Sequence, residues 1–129
     1  MEFMKKLPDA EFEVMKVIWK LTPPITSGML MDTLIKEKGK VQKSQTIHTL
    51  LNRLVDRGFL KTEKVGKERF FTPIIERDEY LRFETQNFVK QYHGNSCLNL
   101  LNALYDGETL EEEVIEKLMR WVDEQQARK

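Results

Sequence analysis

With 129 residues, 40% hydrophobic and 33% charged, the chain can bury one ordinary core or two small ones, and its composition is that of a folded protein rather than a disordered tail. Its apolar runs fall far short of the roughly 20 residues that cross a bilayer. The opening MEFMKK has no apolar stretch behind its lysines, and the lone Cys97 permits neither an intrachain disulfide nor a cysteine-based metal cluster, so a cytoplasmic protein without a metal site is predicted. The formal net charge of zero conceals a division, because residues 1–72 hold 14 Lys and Arg against 9 Asp and Glu (+5), whereas residues 73–129 hold 7 against 12 (−5). Unless that split is chance, it suggests a polyanion-binding module followed by a module that meets something else.

Taken in chain order, the apolar residues Phe12, Met15, Val17, Ile18, Trp19 and Leu21 recur near helical spacing and predict a helix over Asp9–Leu21, with Pro8 at its first position. Pro23 and Pro24 end it. Thr26 is placed to cap a second helix whose stripe is Met29, Leu30, Leu34 and Ile35 and which Gly39 terminates. A third helix begins near Lys43 or Ser44, carries Ile47, Leu50, Leu51, Leu54 and Val55 on one face, and closes in Asp56, Arg57, Gly58 and Phe59, where glycine supplies a left-handed cap. The period then shortens to about two. Leu60 to Val65 and Glu68 to Pro73 flank Gly66 and predict a two-stranded hairpin.

Beyond Pro73 the helical period returns. Arg77 to Tyr92 forms a fourth helix stopped by Gly94, and His93 neighbours that stop. Ser96 to Tyr105 forms a short apolar helix closed at Asp106 and Gly107. Thr109 and Glu112 form a capping box for a last helix with Leu110, Val114, Ile115, Leu118, Met119 and Val122 as its apolar face. The fold class expected is mainly α with a small β-hairpin: an N-terminal winged helix-turn-helix, residues 1–74, and a C-terminal helical dimerisation region, residues 75–129. Three short helices offer little core of their own, so a second copy is the natural way to bury them.

In a helix-turn-helix the recognition helix presents small polar and basic side chains toward base edges and phosphates while its other face stays apolar. The segment KSQTIHT fits this description, with Lys43, Ser44, Gln45, Thr46, His48 and Thr49 available to DNA and Arg53 one turn on, within reach of the backbone. The hairpin adds Lys64, Lys67 and Arg69, suited to phosphates. Each has a plainer reading: Ser44 as the helix N-cap, His48 as a solvated surface histidine, and the hairpin cations as charges that keep a sheet edge from pairing. No nucleophile motif or phosphate-cradling glycine loop is present, and the two histidines lie in separate segments, so an enzyme is not expected.

The segments DAEFEVMKVIW (Asp9–Trp19) and QTIHTLLNRLVDRGFL (Gln45–Leu60), together with the last helix, resemble the penicillinase repressor family, which includes repressors of β-lactamase and methicillin-resistance genes and copper-responsive relatives. The resemblance implies a homodimeric transcriptional repressor that binds double-stranded, near-palindromic operator DNA and needs no small-molecule cofactor. Tyr80, Phe88, Tyr92, Leu98, Leu101, Leu104, Val114, Leu118 and Val122 would then form the dimer interface. Paired cysteines near the C-terminus mark the copper-responsive members, and the single Cys97 argues against copper sensing here. In the β-lactam-responsive members a membrane sensor with a metallopeptidase domain triggers cleavage of an asparagine-phenylalanine bond, which by similarity falls at Asn102 and Ala103, where alanine breaks the pattern. Other readings are a winged helix used for protein contact, and a ligand-responsive regulator whose pocket would use Tyr80, Phe83, Tyr92 and Trp121.

Overall fold

The computed structural model describes residues 4–105 and 111–128. Six helices and one hairpin follow in the order α1 (Asp9–Ile18), α2 (Ser27–Lys38), α3 (Ser44–Asp56), β1 (Leu60–Val65), β2 (Glu68–Pro73), α4 (Arg77–His93), α5 (Cys97–Leu104) and α6 (Glu112–Ala127). They divide into two compact units, residues 1–84 and 85–129.

The caps that start and stop α2 and α3 are local and agree with the sequence. Thr26 Oγ1 accepts from the Met29 amide at 3.2 Å, and Gly39, at φ +60°, accommodates the left-handed turn that ends α2. After α3, Gly58 takes φ +82° and the Phe59 amide donates back to the Leu54 carbonyl at 3.0 Å, the long bond of a Schellman motif. Three local expectations are revised. Helix α1 stops at Ile18, because Lys20 and Leu21 tighten into short turns on Val17 and Ile18 and the Trp19 indole N–H donates sideways to the Ile75 carbonyl at 2.9 Å. Pro8 occupies the N-cap position, one residue earlier than expected. In α2 only Leu30 and Leu34 are buried, while Met29 and Ile35 are exposed.

Strands β1 and β2 pair antiparallel from Leu60 opposite Pro73 to Val65 opposite Glu68, leaving Gly66 and Lys67 as a two-residue turn. Gly66 takes φ +63°, the positive value a primed turn needs at its first central position. Ile25 adds a third rung that the sequence did not announce: its amide and carbonyl exchange hydrogen bonds with Phe71 at 2.9 and 2.8 Å. This ties the hairpin to the segment before α2. The core of this unit is continuous, built from Val14, Met15, Ile18, Ile25, Leu30, Ile47, Leu51, Leu54, Phe59, Leu60 and Phe71.

Tyr80 also belongs to that core. It is fully buried, its hydroxyl accepts from the Leu7 amide at 2.8 Å, and its ring packs with Phe12, Trp19, Phe59 and Phe83 at centroid distances of 5.4 to 6.1 Å. The expected role of Tyr80 at a dimer interface is therefore corrected, because no part of the side chain reaches the surface. Burial, opposed by the Leu7 hydrogen bond, pushes its hydroxyl pKa up to about 12.

In the second unit, Gly94 and Asn95 take φ +59° and +60° and turn the chain out of α4. Ser96 caps α5, its Oγ accepting from the Asn99 amide at 3.1 Å, while the His93 carbonyl accepts from the Ser96 amide and the Asn99 side chain. Asp106, Gly107, Thr109 and Leu110 lie outside the described residues. Helix α6 begins at Glu112 with Glu111 at the N-cap, so Glu112 is its first residue and not the third of a capping box. Among the described residues no helix is long and apolar enough to cross a membrane.

Candidate nucleic-acid interface

Ile47, Leu50, Leu51 and Leu54 bury one face of α3 against the core. At about 100° per residue, Gln45, Thr49, Asn52 and Asp56 then form the opposite, outward stripe, with Thr46 and Arg53 on one flank and His48 on the other. All of these are exposed except His48, which is half-buried. Thr49 Oγ1 donates to the Gln45 carbonyl at 2.9 Å, so this hydroxyl is held along the helix.

Lys43, exposed, holds the N-cap position, and no side chain bonds the first amides of α3. Ser44 is the first helical residue, so its reading as the N-cap is corrected. The helix start thus combines unoccupied amides with Lys43, Ser44, Gln45 and Thr46, all of them at the surface. Asp56, at the far end of the outward stripe, is acidic. The stripe is suited to a polyanion over its first three turns and not over its last.

The hairpin's side chains sort by the two-residue period. Thr62, Lys64, Arg69 and Phe71 share one face, and Lys61, Glu63, Phe70 and Thr72 the other. Lys64 and Arg69 stand directly opposite each other, an arrangement of like charges that is unfavourable unless an anion meets them. Lys67 is in the turn. Arg69 is held on three sides: Nη1 donates to Asn52 Oδ1 at 2.7 Å, Nε donates to Thr62 Oγ1 at 2.9 Å, and the guanidinium lies 4.8 Å from the centroid of the Phe71 ring.

All ten sequence-predicted DNA contacts therefore lie on α3, at its N-cap or on the hairpin; eight are exposed, His48 and Arg69 are half-buried, and Arg69 is anchored by side-chain bonds to both elements. Two features escaped the sequence. Asn52 was legible, since it follows Gln45 and Thr49 at helical spacing, yet nothing local marked it as the partner of Arg69. Lys40 and Gln42 in the turn before α3 were also missed. With Glu13, Lys43 and Thr46 they border a hollow of about 360 Å³ beside the start of α1. Glu13 itself is paired with Lys16 at 2.7 Å and with Lys38.

The second unit carries the other predicted residues. Phe88, Tyr92, Leu98, Leu101, Leu104, Val114, Leu118 and Val122 are all exposed, as are Ile115, Met119 and Trp121. In α6 they form one broad apolar face, with Val114, Leu118 and Val122 one turn apart. Asn102 and Ala103 are exposed on α5. Of the four aromatics that a ligand pocket would use, Tyr80 and Phe83 pack in the N-terminal core, while Tyr92 and Trp121 are exposed. Among the described residues no three His, Cys, Asp or Glu side chains gather as metal ligands.

The sequence profile described as penicillinase repressor matches residues 7–124. The chain belongs to the penicillinase repressor family. It is 32% identical over 131 residues to the penicillinase repressor of Bacillus licheniformis, covering 98% of each chain. It is 24% identical over 113 residues to the methicillin resistance regulatory protein MecI of Staphylococcus aureus (strain N315), covering 88% of this chain and 89% of the relative. A solution structure of the DNA binding domain of the repressor BlaI aligns with 60% of this chain and 94% of its own length, at 39% identity and a TM-score of 0.48. These penicillinase repressor relatives are repressors and regulators rather than catalysts, in line with the non-enzymatic reading of the sequence.

Proposed function

We propose that the chain represses transcription as a homodimer whose winged helices bind the two halves of a near-palindromic operator. The observation that carries this reading is the side-by-side placement of α3 and the hairpin, joined by the Arg69 to Asn52 bond, with Gln45, Thr49 and Arg53 on the helix and Lys64 and Lys67 on the hairpin. Polar side chains at the helix start suit base edges in the major groove, and the hairpin cations suit phosphates. Membership of the penicillinase repressor family supports the same reading.

The apolar faces of α5 and α6 support dimerisation. Leu98 is 66% and Trp121 57% exposed in the single chain, and these side chains lie in a contiguous stretch of the sequence rich in other exposed apolar residues. A second copy would remove this surface from water. Repression would be steric, and release would follow cleavage or loosening of α5, where Asn102 and Ala103 are exposed; a membrane sensor metallopeptidase is the partner proposed for that step. A monomer loses the advantage of two tethered binding modules, which makes the interface an efficient place to switch affinity.

The test is a salt series of binding to the DNA upstream of the chain's own gene and to a scrambled duplex of equal length. Tight dimeric binding to the first, weakening steeply with salt, is expected. Equal and feeble binding to both would overturn the reading and favour a winged helix that contacts protein.

A further inference from the structure

We infer that Asn52 and Arg69 form a latch that sets the angle of the hairpin against α3, and that Arg69 acts in DNA binding as a positioning residue. This rests on the reading of α3 and the hairpin as the DNA-facing elements. The chemistry fixes the direction of the bond. A guanidinium can only donate, so the Asn52 side chain must present Oδ1 and not its amide nitrogen to Arg69 Nη1 at 2.7 Å. Thr62 Oγ1 holds Nε at 2.9 Å and in turn donates to the Phe70 carbonyl at 3.1 Å, which anchors the arginine to the backbone of its own hairpin. The Phe71 ring beneath the guanidinium belongs to the core. Arg69 therefore has a fixed base in β1 and β2 and a single reach across to α3.

The Arg69 to Asn52 bond is 17 residues apart in sequence and joins exposed parts of the two elements. Besides Lys61 on the opposite face, the hairpin carries two further cations, Lys64 and Lys67, which make no salt bridge among the described residues. Their distance from the outward stripe of α3 is set by how the hairpin stands: the Ile25 rung and the buried Leu60 and Phe71 hold its base, and the latch is the side-chain hydrogen bond that joins its Arg69 face to α3. Loss of Asn52 removes no charge, yet it should cost the phosphate contacts of both lysines.

The experiment uses the full chain and a duplex that the wild-type chain itself enriches from a randomised pool. Asn52→Ala, Arg69→Ala and the double variant are compared for affinity across a salt series, with thermal unfolding of each. Each single variant should bind about tenfold more weakly, the scale of one charge-assisted hydrogen bond. The double variant should bind no more weakly than Arg69→Ala, and both single variants should share the same reduced salt slope although only one has lost a cation. Asn52→Ala should barely move the melting temperature, which separates positioning from a contribution to folding. Additive losses, or wild-type affinity and slope in Asn52→Ala beside a slope lowered by about one in Arg69→Ala, would show a direct phosphate contact and overturn the latch. Enrichment of no duplex at all would overturn the DNA-binding reading and this inference with it, whereas additivity in a chain that does bind overturns the latch alone.

Discussion

The Glu11 carboxylate, 2% exposed, accepts a hydrogen bond from Arg57 Nε at 2.6 Å across 46 residues of sequence, and it is the one charged side chain sealed in the described core. It ties the first turn of α1 to the C-cap of α3. A carboxylate so placed depends on its partner, because the cost of removing it from water is offset only while the guanidinium is there.

Arg57→Ala should therefore destabilise the chain by about 3 kcal/mol, since it strands a buried charge, while Glu11→Gln, which keeps the shape and removes the charge, should cost less. Urea unfolding of both variants checks the order. Equal stability of Arg57→Ala and wild type would show that water reaches Glu11.

Tyr80 predicts an alkaline limit to stability. Its folded pKa of about 12 lies above the ordinary value of 10, so the neutral hydroxyl is the form that the fold favours. The stabilisation is fully present below pH 10 and is lost as pH rises through 12. Tyr80→Phe should flatten this loss above pH 10. Below that it should be less stable than wild type by about 1–3 kcal/mol, because the Leu7 amide loses its acceptor in a buried setting. Chemical unfolding across the alkaline range reads both effects.

On the DNA-facing side, Gln45→Ala and Arg53→Ala should separate two kinds of contact. Gln45→Ala should cost about 1–3 kcal/mol on the selected duplex and little on a scrambled one, as expected of a base contact. Arg53→Ala should weaken both alike and lower the salt slope by about one, as expected of a phosphate contact. No effect of either substitution would mean that α3 docks differently.

In the second unit, Leu118→Asp places a charge in the middle of the exposed apolar face of α6. Sedimentation should show wild type as a dimer and the variant as a monomer, with operator affinity reduced at least tenfold by the loss of the second binding module. A variant that stays dimeric would locate the interface away from α6.

Much of the fold was legible because its causes are local. The cap at Thr26, the left-handed turns at Gly39 and Gly58, the apolar stripe of α3 and the two strands of the hairpin around Gly66 all depend on residues a few positions apart, and each stands where periodicity and turn chemistry put it. The outward stripe of α3 was legible for the same reason, since burial of Ile47, Leu50, Leu51 and Leu54 dictates what faces away.

Packing between distant segments decided the rest. Whether Tyr80 served a core or an interface depended on Leu7, 73 residues earlier, and on four aromatic rings drawn from α1, its C-cap, α4 and the turn after α3. The Ile25 rung on Phe71, the Glu11 to Arg57 pair and the Arg69 to Asn52 latch likewise join side chains or backbone that carry no local mark of their partners. By itself the sequence determined which elements form and which faces they bury, because caps and periodicity act within a turn or two. Only the tertiary structure decided which polar groups meet, because a buried donor or charge takes whatever partner the packed core brings within reach.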